Sequence, residues 1–195
     1  MALRPNVAST TDAAAATPAN SLIVLIGGAR SGKSDLAVHM GKRFAGRVTF
    51  VATAQRVDGD MRERIERHQA ERPSWPTIEA PLALAATLAC VPDNHFVIVD
   101  CLTLWLANAL YGEWADDDIF DETIAASTRA AGRVGPTVAV TNEVGLGIHP
   151  DTELGRRYRD LLGRVNRIWA QTAAKSLFLV AGRAVPLHDP WEFLS

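Results

Sequence analysis

Cysteine is nearly absent. The 195 residues hold two, Cys90 and Cys101, with no CxxC and no paired Cys/His spacing. Neither a disulfide framework nor a zinc site is indicated, and reduced thiols in a cytoplasmic chain are the expectation. An excess of basic charge is missing too: 20 Lys and Arg stand against 22 Asp and Glu, a net charge of -2. That balance leaves no electrostatic footprint for nucleic acid or an anionic membrane, and it favours a small-molecule partner. Nowhere do about 18 apolar residues run together, so no membrane-spanning helix is expected. The opening MALRPNVASTTDAAAATPAN has one arginine and no apolar h-region, so neither a secretion signal nor a transit peptide is expected. Residues 1–20 are expected to form a flexible tail and 21–195 a single domain. There is no internal repeat.

What is present is hydrophobic content of 48%, enough for a sizeable core at this length. Short apolar runs at 21–26, 47–53, 95–100, 136–141 and 176–180 alternate with longer amphipathic segments at 33–45, 59–72, 82–90, 116–133 and 151–174. Continuous apolar runs of this length read as parallel strands buried on both faces, and the segments between them are long enough for crossover helices. In the last segment Leu154, Tyr158, Leu161, Leu162, Val165, Ile168 and Trp169 make an apolar stripe, with Pro150-Asp151-Thr152 as its start. The expected fold class is α/β: a three-layer αβα domain with a mostly parallel sheet, whose ligands bind at the carboxyl ends of the strands.

Directly after the first run comes GGARSGKS, residues 27–34, which fits G-x-x-x-x-G-K-[ST] in the strand-turn-helix context that motif requires. Backbone N–H groups of Gly27, Gly28, Ala29, Arg30, Ser31 and Gly32 are expected to surround a phosphate. Lys33 adds a mobile charge, and Ser34 offers a hydroxyl to Mg²⁺. VIVDC at 97–101 looks like the second acidic strand of such proteins, making Asp100 the candidate to hold Mg²⁺. A late-strand N-K-x-D motif, usual in guanine-selective switch proteins, is replaced by TNEVG at 141–145, which argues against a switch GTPase.

MRERIERHQAER, residues 61–72, sets Met61, Ile65, His68 and Arg72 at helical spacing. On spacing alone His68 reads first as a buried, hydrogen-bonded core histidine. Its surroundings change that reading. The combination of GGARSGKS, VATAQ (51–55), DMRERIERHQAERPSW (60–75), TIEAP (77–81) and TNEVGLGIHP (141–150) is similar to the bifunctional adenosylcobinamide kinase and adenosylcobinamide-phosphate guanylyltransferase family of cobalamin biosynthesis, from residue 22 to about 182.

The resemblance implies a P-loop NTPase-like fold with a mostly parallel sheet, a homotrimer and two reactions. A nucleoside triphosphate, ATP or GTP, phosphorylates adenosylcobinamide; then GTP gives GMP to adenosylcobinamide phosphate through a covalent histidine intermediate, and the matching residue is His68. Chemistry is compatible with that role. An imidazole with an unperturbed pKa near 6.5 keeps a lone pair available at neutral pH for attack on the α-phosphorus. Carried over by position, the nucleotide contacts are residues 27–34, then Ala52, Thr53 and Ala54, then Gln69, Ala70, Glu71 and Arg72, then Glu79, with Asp100 and Ser34 at the metal. The family often has serine in place of Ala54 and glutamate in place of Asp100. A carboxylate at Glu79 accepting from the N1–H and N2–H₂ edge would select guanine. Asn142 and Glu143 are expected near the corrinoid or a subunit boundary, without an assigned role. Two other readings stay open on the residues themselves: a monofunctional P-loop kinase for another small hydroxylated metabolite, with His68 structural, and a nucleotide-dependent regulatory module.

Overall fold

The computed structural model describes residues 20–55 and 73–194. Residues 1–19 of the expected tail and the expected helix over 59–72, with His68, Gln69, Ala70, Glu71 and Arg72, lie outside the described residues.

Six strands, β1 (Leu22–Gly27), β2 (Val48–Ala52), β3 (Thr77–Glu79), β4 (Phe96–Asp100), β5 (Thr137–Val140) and β6 (Lys175–Val180), pair in parallel, and β7 (Arg183–Leu187) adds an antiparallel edge. Their order is β3-β2-β4-β5-β1-β6-β7. The apolar runs are continuous because both faces of the central strands are covered. Val24 of β1 and Val97 and Val99 of β4 enter one apolar cluster, while Leu25, Phe96 and Ile98 enter the other. This alternation sends successive side chains to opposite layers.

Helices α2 (Leu84–Cys90), α3 (Leu102–Tyr111), α4 (Asp116–Ala131) and α5 (Glu153–Thr172) contribute to the larger cluster. Helix α1 (Lys33–Arg43) covers the other face through Ala37, Leu36 and Met40. The close approach of α1 to Trp75 depends on Gly41, where a Cβ would come 2.8 Å from the indole. The three-layer α/β architecture is therefore present. Helix α4 opens on Asp116, Asp117 and Asp118, which suit the positive end of its dipole. In α5 the Thr152 hydroxyl caps the helix by accepting from the Gly155 amide at 3.1 Å. Leu161, Leu162, Val165 and Trp169 are buried as the apolar stripe requires and Tyr158 and Ile168 are half-buried against the same cluster, but Leu154 at its start is exposed and packs on neither cluster.

Three elements carry little mark in the sequence. Helix α3 buries Leu102, Thr103, Trp105, Leu106, Ala109 and Leu110, so it is apolar around most of its circumference and carries little helical period. Strand β3 is three residues long, and β7 is exposed along its whole length and contains Pro186. Both are edges, where a missing N–H and polar side chains are tolerated.

Two side chains, one buried and one half-buried, fix the helical layer. Arg133, with no exposed surface, donates to the carbonyls of Leu88, Val91, Pro92 and His95 at 2.8 to 3.2 Å, closing the end of α2 and the turn into β4. At the other end of α2, Glu122 of α4 accepts from the Ala85 amide at 2.7 Å. No helix among the described residues is long and apolar enough to cross a membrane.

Candidate active site

Strand β1 is extended and buried up to Ile26, and the chain then has to leave the sheet sharply to start α1. Gly27 makes that possible. Its φ is +156°, and a Cβ there would collide with the Leu179 carbonyl of the neighbouring strand. Arg30 (φ 56°) and Gly32 (φ 93°) also take positive φ, and Gly32 is the residue immediately before the helix. Left-handed residues at these positions curl the loop tightly into the positive end of α1, the setting in which backbone amides bind anions.

Lys33 is almost fully buried at the start of that helix. Its ammonium donates to the carbonyls of Gly27 (3.0 Å) and Gly28 (2.6 Å) and to the Ser31 hydroxyl (3.3 Å). Those bonds hold a positive charge across the loop. Ser34 follows within the first helical turn. The loop is also braced from the far side of the sheet: β6 and β7 are joined by Ala181 (φ 50°) and Gly182 (φ 72°), the backbone of a tight primed hairpin turn, and the Gly182 amide donates to the Ser31 carbonyl at 3.2 Å.

The strand registers line up the other candidates along the same carboxyl edge. Ala52 pairs with both Asp100 and Glu79, Asp100 pairs with Val140, and Val140 pairs with Leu25. Neighbouring strands lie about 4.8 Å apart, so Asp100 is two spacings, about 10 Å, from β1, and Glu79 is four spacings, about 19 Å, along the edge. The edge thus brings the loop, Asp100 and the segment after β5 together, and it leaves Glu79 exposed at the opposite end.

Thr53 is fully buried just past β2. Its hydroxyl donates to the Cys101 carbonyl (2.7 Å) and accepts from the Cys101 amide (2.8 Å), and its own amide donates to the Asp100 carbonyl at 3.2 Å. Asn108 of α3 donates to the Thr53 carbonyl at 2.7 Å and to that of Pro81 at 3.1 Å. The hydroxyl of Thr53 is thus committed to holding the end of β2 against the end of β4, the backbone that presents Asp100. Ala52 and Ala54 flank it and offer only backbone groups. Burial, together with the neighbouring Asp100 carboxylate, pushes the Cys101 thiol up to about 11. Burial, and then Cys101, raises the Tyr158 phenol above its ordinary range.

The segment after β5 is closer to the loop than its sequence announces. The amide of Thr141 donates to the Leu25 carbonyl (2.9 Å) and that of Glu143 to the Gly27 carbonyl (3.1 Å), continuing the β1–β5 ladder past the strand. A buried polar network holds this stretch from behind. Thr141 donates to Asn166 of α5 (2.7 Å), Asn166 donates to the Asn142 carbonyl (2.9 Å), and the Thr103 hydroxyl accepts from the Asn142 amide (2.9 Å). The Glu143 carboxylate accepts from the Gly145 amide at 2.6 Å. The sequence signal was a polar TNE directly after a buried strand. Its meaning depends on β5 lying next to β1, which sequence order does not reveal.

The donor chemistry fits Mg²⁺. Ser34 and Asp100 offer hard oxygen ligands, and Mg²⁺ carried by a nucleotide takes one or two carboxylates plus phosphates and water rather than a closed protein cage. No cluster of three metal-ligating side chains occurs among the described residues.

A family model described as cobinamide kinase / cobinamide phosphate guanyltransferase matches residues 23–187. The bifunctional adenosylcobalamin biosynthesis protein CobP of Pseudomonas aeruginosa is 42% identical over 167 residues, covering 84% of this chain and 95% of that protein. The bifunctional adenosylcobalamin biosynthesis protein CobU of Escherichia coli K12 is 36% identical over 183 residues, covering 85% and 99%. Among solved structures, an ATPase of the type III secretion system of pathogenic bacteria aligns with a TM-score of 0.52 at 13% identity, over 82% of this chain and 51% of that one. EscN, the type III secretion ATPase of enteropathogenic E. coli, gives 0.51 at 14% identity, over 83% and 43%. This chain spans about half or less of those ATPases, and at such identity the likeness bears on the fold alone: a P-loop NTPase-like three-layer domain.

Proposed function

Because the chain belongs to the cobinamide kinase / cobinamide phosphate guanyltransferase family, we propose that it phosphorylates adenosylcobinamide with ATP or GTP and then transfers GMP from GTP to adenosylcobinamide phosphate. The observation that carries this reading is a family match across residues 23–187 that includes a complete phosphate loop, with Lys33 already drawn over its carbonyls.

In the kinase step the amides of residues 27–32 and the Lys33 ammonium hold the β- and γ-phosphates. Preorganised donors of this kind stabilise charge as it spreads over the transferring group. Ser34 and Asp100 would hold Mg²⁺, which supplies charge neutralisation at the phosphates. In the guanylyl step an imidazole nitrogen of His68 attacks the α-phosphorus of GTP. The P–N bond forms as the bond to the bridging oxygen breaks, and pyrophosphate leaves. An oxygen of the substrate phosphate then displaces the histidine to give adenosylcobinamide-GDP. Two displacements replace one direct meeting of polyanions. Glu79, at the far end of the carboxyl edge, takes the guanine edge, and the stretch Gln69–Arg72 beside His68 contributes nucleotide contacts, with Arg72 offsetting phosphate charge. Backbone groups of Ala52, Thr53 and Ala54 contribute on the same edge. The working assembly is a cytoplasmic homotrimer.

The test is incubation with GTP labelled at the α-phosphate, followed by denaturation. Acid-labile, alkali-stable label on His68 is the expected outcome. Label should vanish in His68→Ala while phosphorylation of adenosylcobinamide persists, because the kinase step needs positioning and charge but no protein nucleophile. A wild-type protein that turns over and never retains label refutes the covalent route.

A further inference from the structure

We propose that Glu143 is the proton acceptor of the kinase step, taking the proton of the incoming hydroxyl as that oxygen attacks the γ-phosphorus. This deepens the reading above and rests on it.

Position makes the case. The Glu143 amide donates to the carbonyl of Gly27, the same oxygen that accepts from the Lys33 ammonium. One backbone oxygen therefore anchors both the cation of the phosphate loop and the residue bearing this carboxylate. By strand order, β5 lies between β1 and β4, so residues leaving β5 stand between the loop and Asp100. Asp100 begins two strand spacings from β1 and, as the metal-side carboxylate, serves the nucleotide rather than the acceptor.

The backbone at this point is held unusually well for a loop. Asn142 is fixed on one side by Thr103 and on the other by Asn166, so the peptide leading to Glu143 is tied to both α3 and α5. The side chain is held as well: Oε1 accepts from Gly145 at 2.6 Å, and a Cβ on residue 145 would lie 2.8 Å from that oxygen. Glycine at 145 is what permits the approach. An ionised carboxylate has about four lone-pair sites, so one bond to Gly145 fixes its orientation and leaves acceptor capacity for a substrate hydroxyl.

Farther along the same segment Leu146 and Ile148 are exposed, so apolar surface follows Glu143 closely in the chain. In the step itself, the hydroxyl oxygen bonds to the γ-phosphorus while the bond from that phosphorus to the β–γ bridging oxygen breaks. The nucleoside diphosphate leaves, and the hydroxyl proton passes to Glu143.

The experiment measures the two reactions separately in the full-length protein: phosphorylation of adenosylcobinamide, and guanylyl transfer from GTP to supplied adenosylcobinamide phosphate. Glu143→Gln keeps an oxygen for the Gly145 amide and removes the basic charge. It should lower kcat of the kinase reaction by about 100-fold or more, the size of a general-base contribution. The KM for nucleotide should stay within about threefold, and guanylyl transfer should be retained. Gly145→Ala should lower the kinase reaction selectively by displacing the carboxylate. A kinase kcat within about threefold of wild type in Glu143→Gln overturns the assignment, and so does an equal loss of both reactions in a folded variant. Wild-type protein lacking both reactions would overturn the underlying function, and this proposal with it.

Discussion

Thr53→Val is the sharpest test of how the site is built. The exchange keeps the shape of the side chain and deletes one oxygen, which makes two bonds to the backbone of Cys101. The two losses are unequal. The Cys101 carbonyl also accepts from the Trp105 amide at 3.1 Å, so it stays paired. The Cys101 amide loses its Thr53 partner in a buried setting, a cost of about 1–3 kcal/mol, and the second lost bond adds about 0.5–1.5 kcal/mol. The expected destabilisation is about 2–4 kcal/mol. With a urea slope of about 3 kcal/mol/M for a chain of this size, the unfolding midpoint should fall by about 1 M. Because the same bonds seat the end of β4, nucleotide affinity should weaken alongside stability, and Thr53→Ser should restore both. Paired urea titrations and nucleotide-binding isotherms of the three proteins decide the matter. If Thr53→Val unfolds at the wild-type midpoint yet binds nucleotide poorly, the hydroxyl touches the nucleotide and does not brace β4 as described.

Four further outcomes are expected. Arg133→Met should destabilise the fold by about 3–5 kcal/mol, since four carbonyls lose a charged donor from a fully buried side chain; a midpoint unchanged in urea would show that water replaces it. Lys33→Ala should lower both reactions by about 100-fold or more, read by steady-state assay of each step on folded protein; survival of either reaction would separate the two nucleotide sites. Iodoacetamide at pH 8 should modify exposed Cys90 well before Cys101, whose thiol is pushed up to about 11. Since the folded thiol holds its proton more tightly than the usual value of 9.0, stability from this group is complete below about pH 9 and falls as pH rises toward 11; a stability profile flat across that window would contradict its burial.

The central strands were legible because burial on both faces leaves a plain mark: an unbroken apolar run such as LIVLIG or FVIVD. The phosphate loop was legible for a different reason, since its glycines and lysine are demanded locally by backbone conformation and charge. Helix α3 escaped notice because a helix buried on most sides has no polar face to give it a period. Strands β3 and β7 escaped because edge strands are short or exposed and have no need of an apolar face. The place of Glu143 could not be read, since its neighbour Gly27 is distant in sequence and the contact follows from the order β4-β5-β1. Arg133 escaped for the same reason: its carbonyl partners, between Leu88 and His95, lie 38 to 45 residues earlier in the chain. For Thr53 the sequence marked a position on the nucleotide edge, and the structure adds that its hydroxyl is already spent on Cys101.

The bond from Gly182 to Ser31 ties the hairpin of β6 and β7 to the glycine-rich turn proposed to receive the phosphates. A cut, fusion junction or frameshift beyond residue 180 would therefore be felt first as slack in the grip on triphosphate, at a point about 150 residues upstream in the chain. Whatever is appended to or trimmed from that end acts on the engine rather than on its casing.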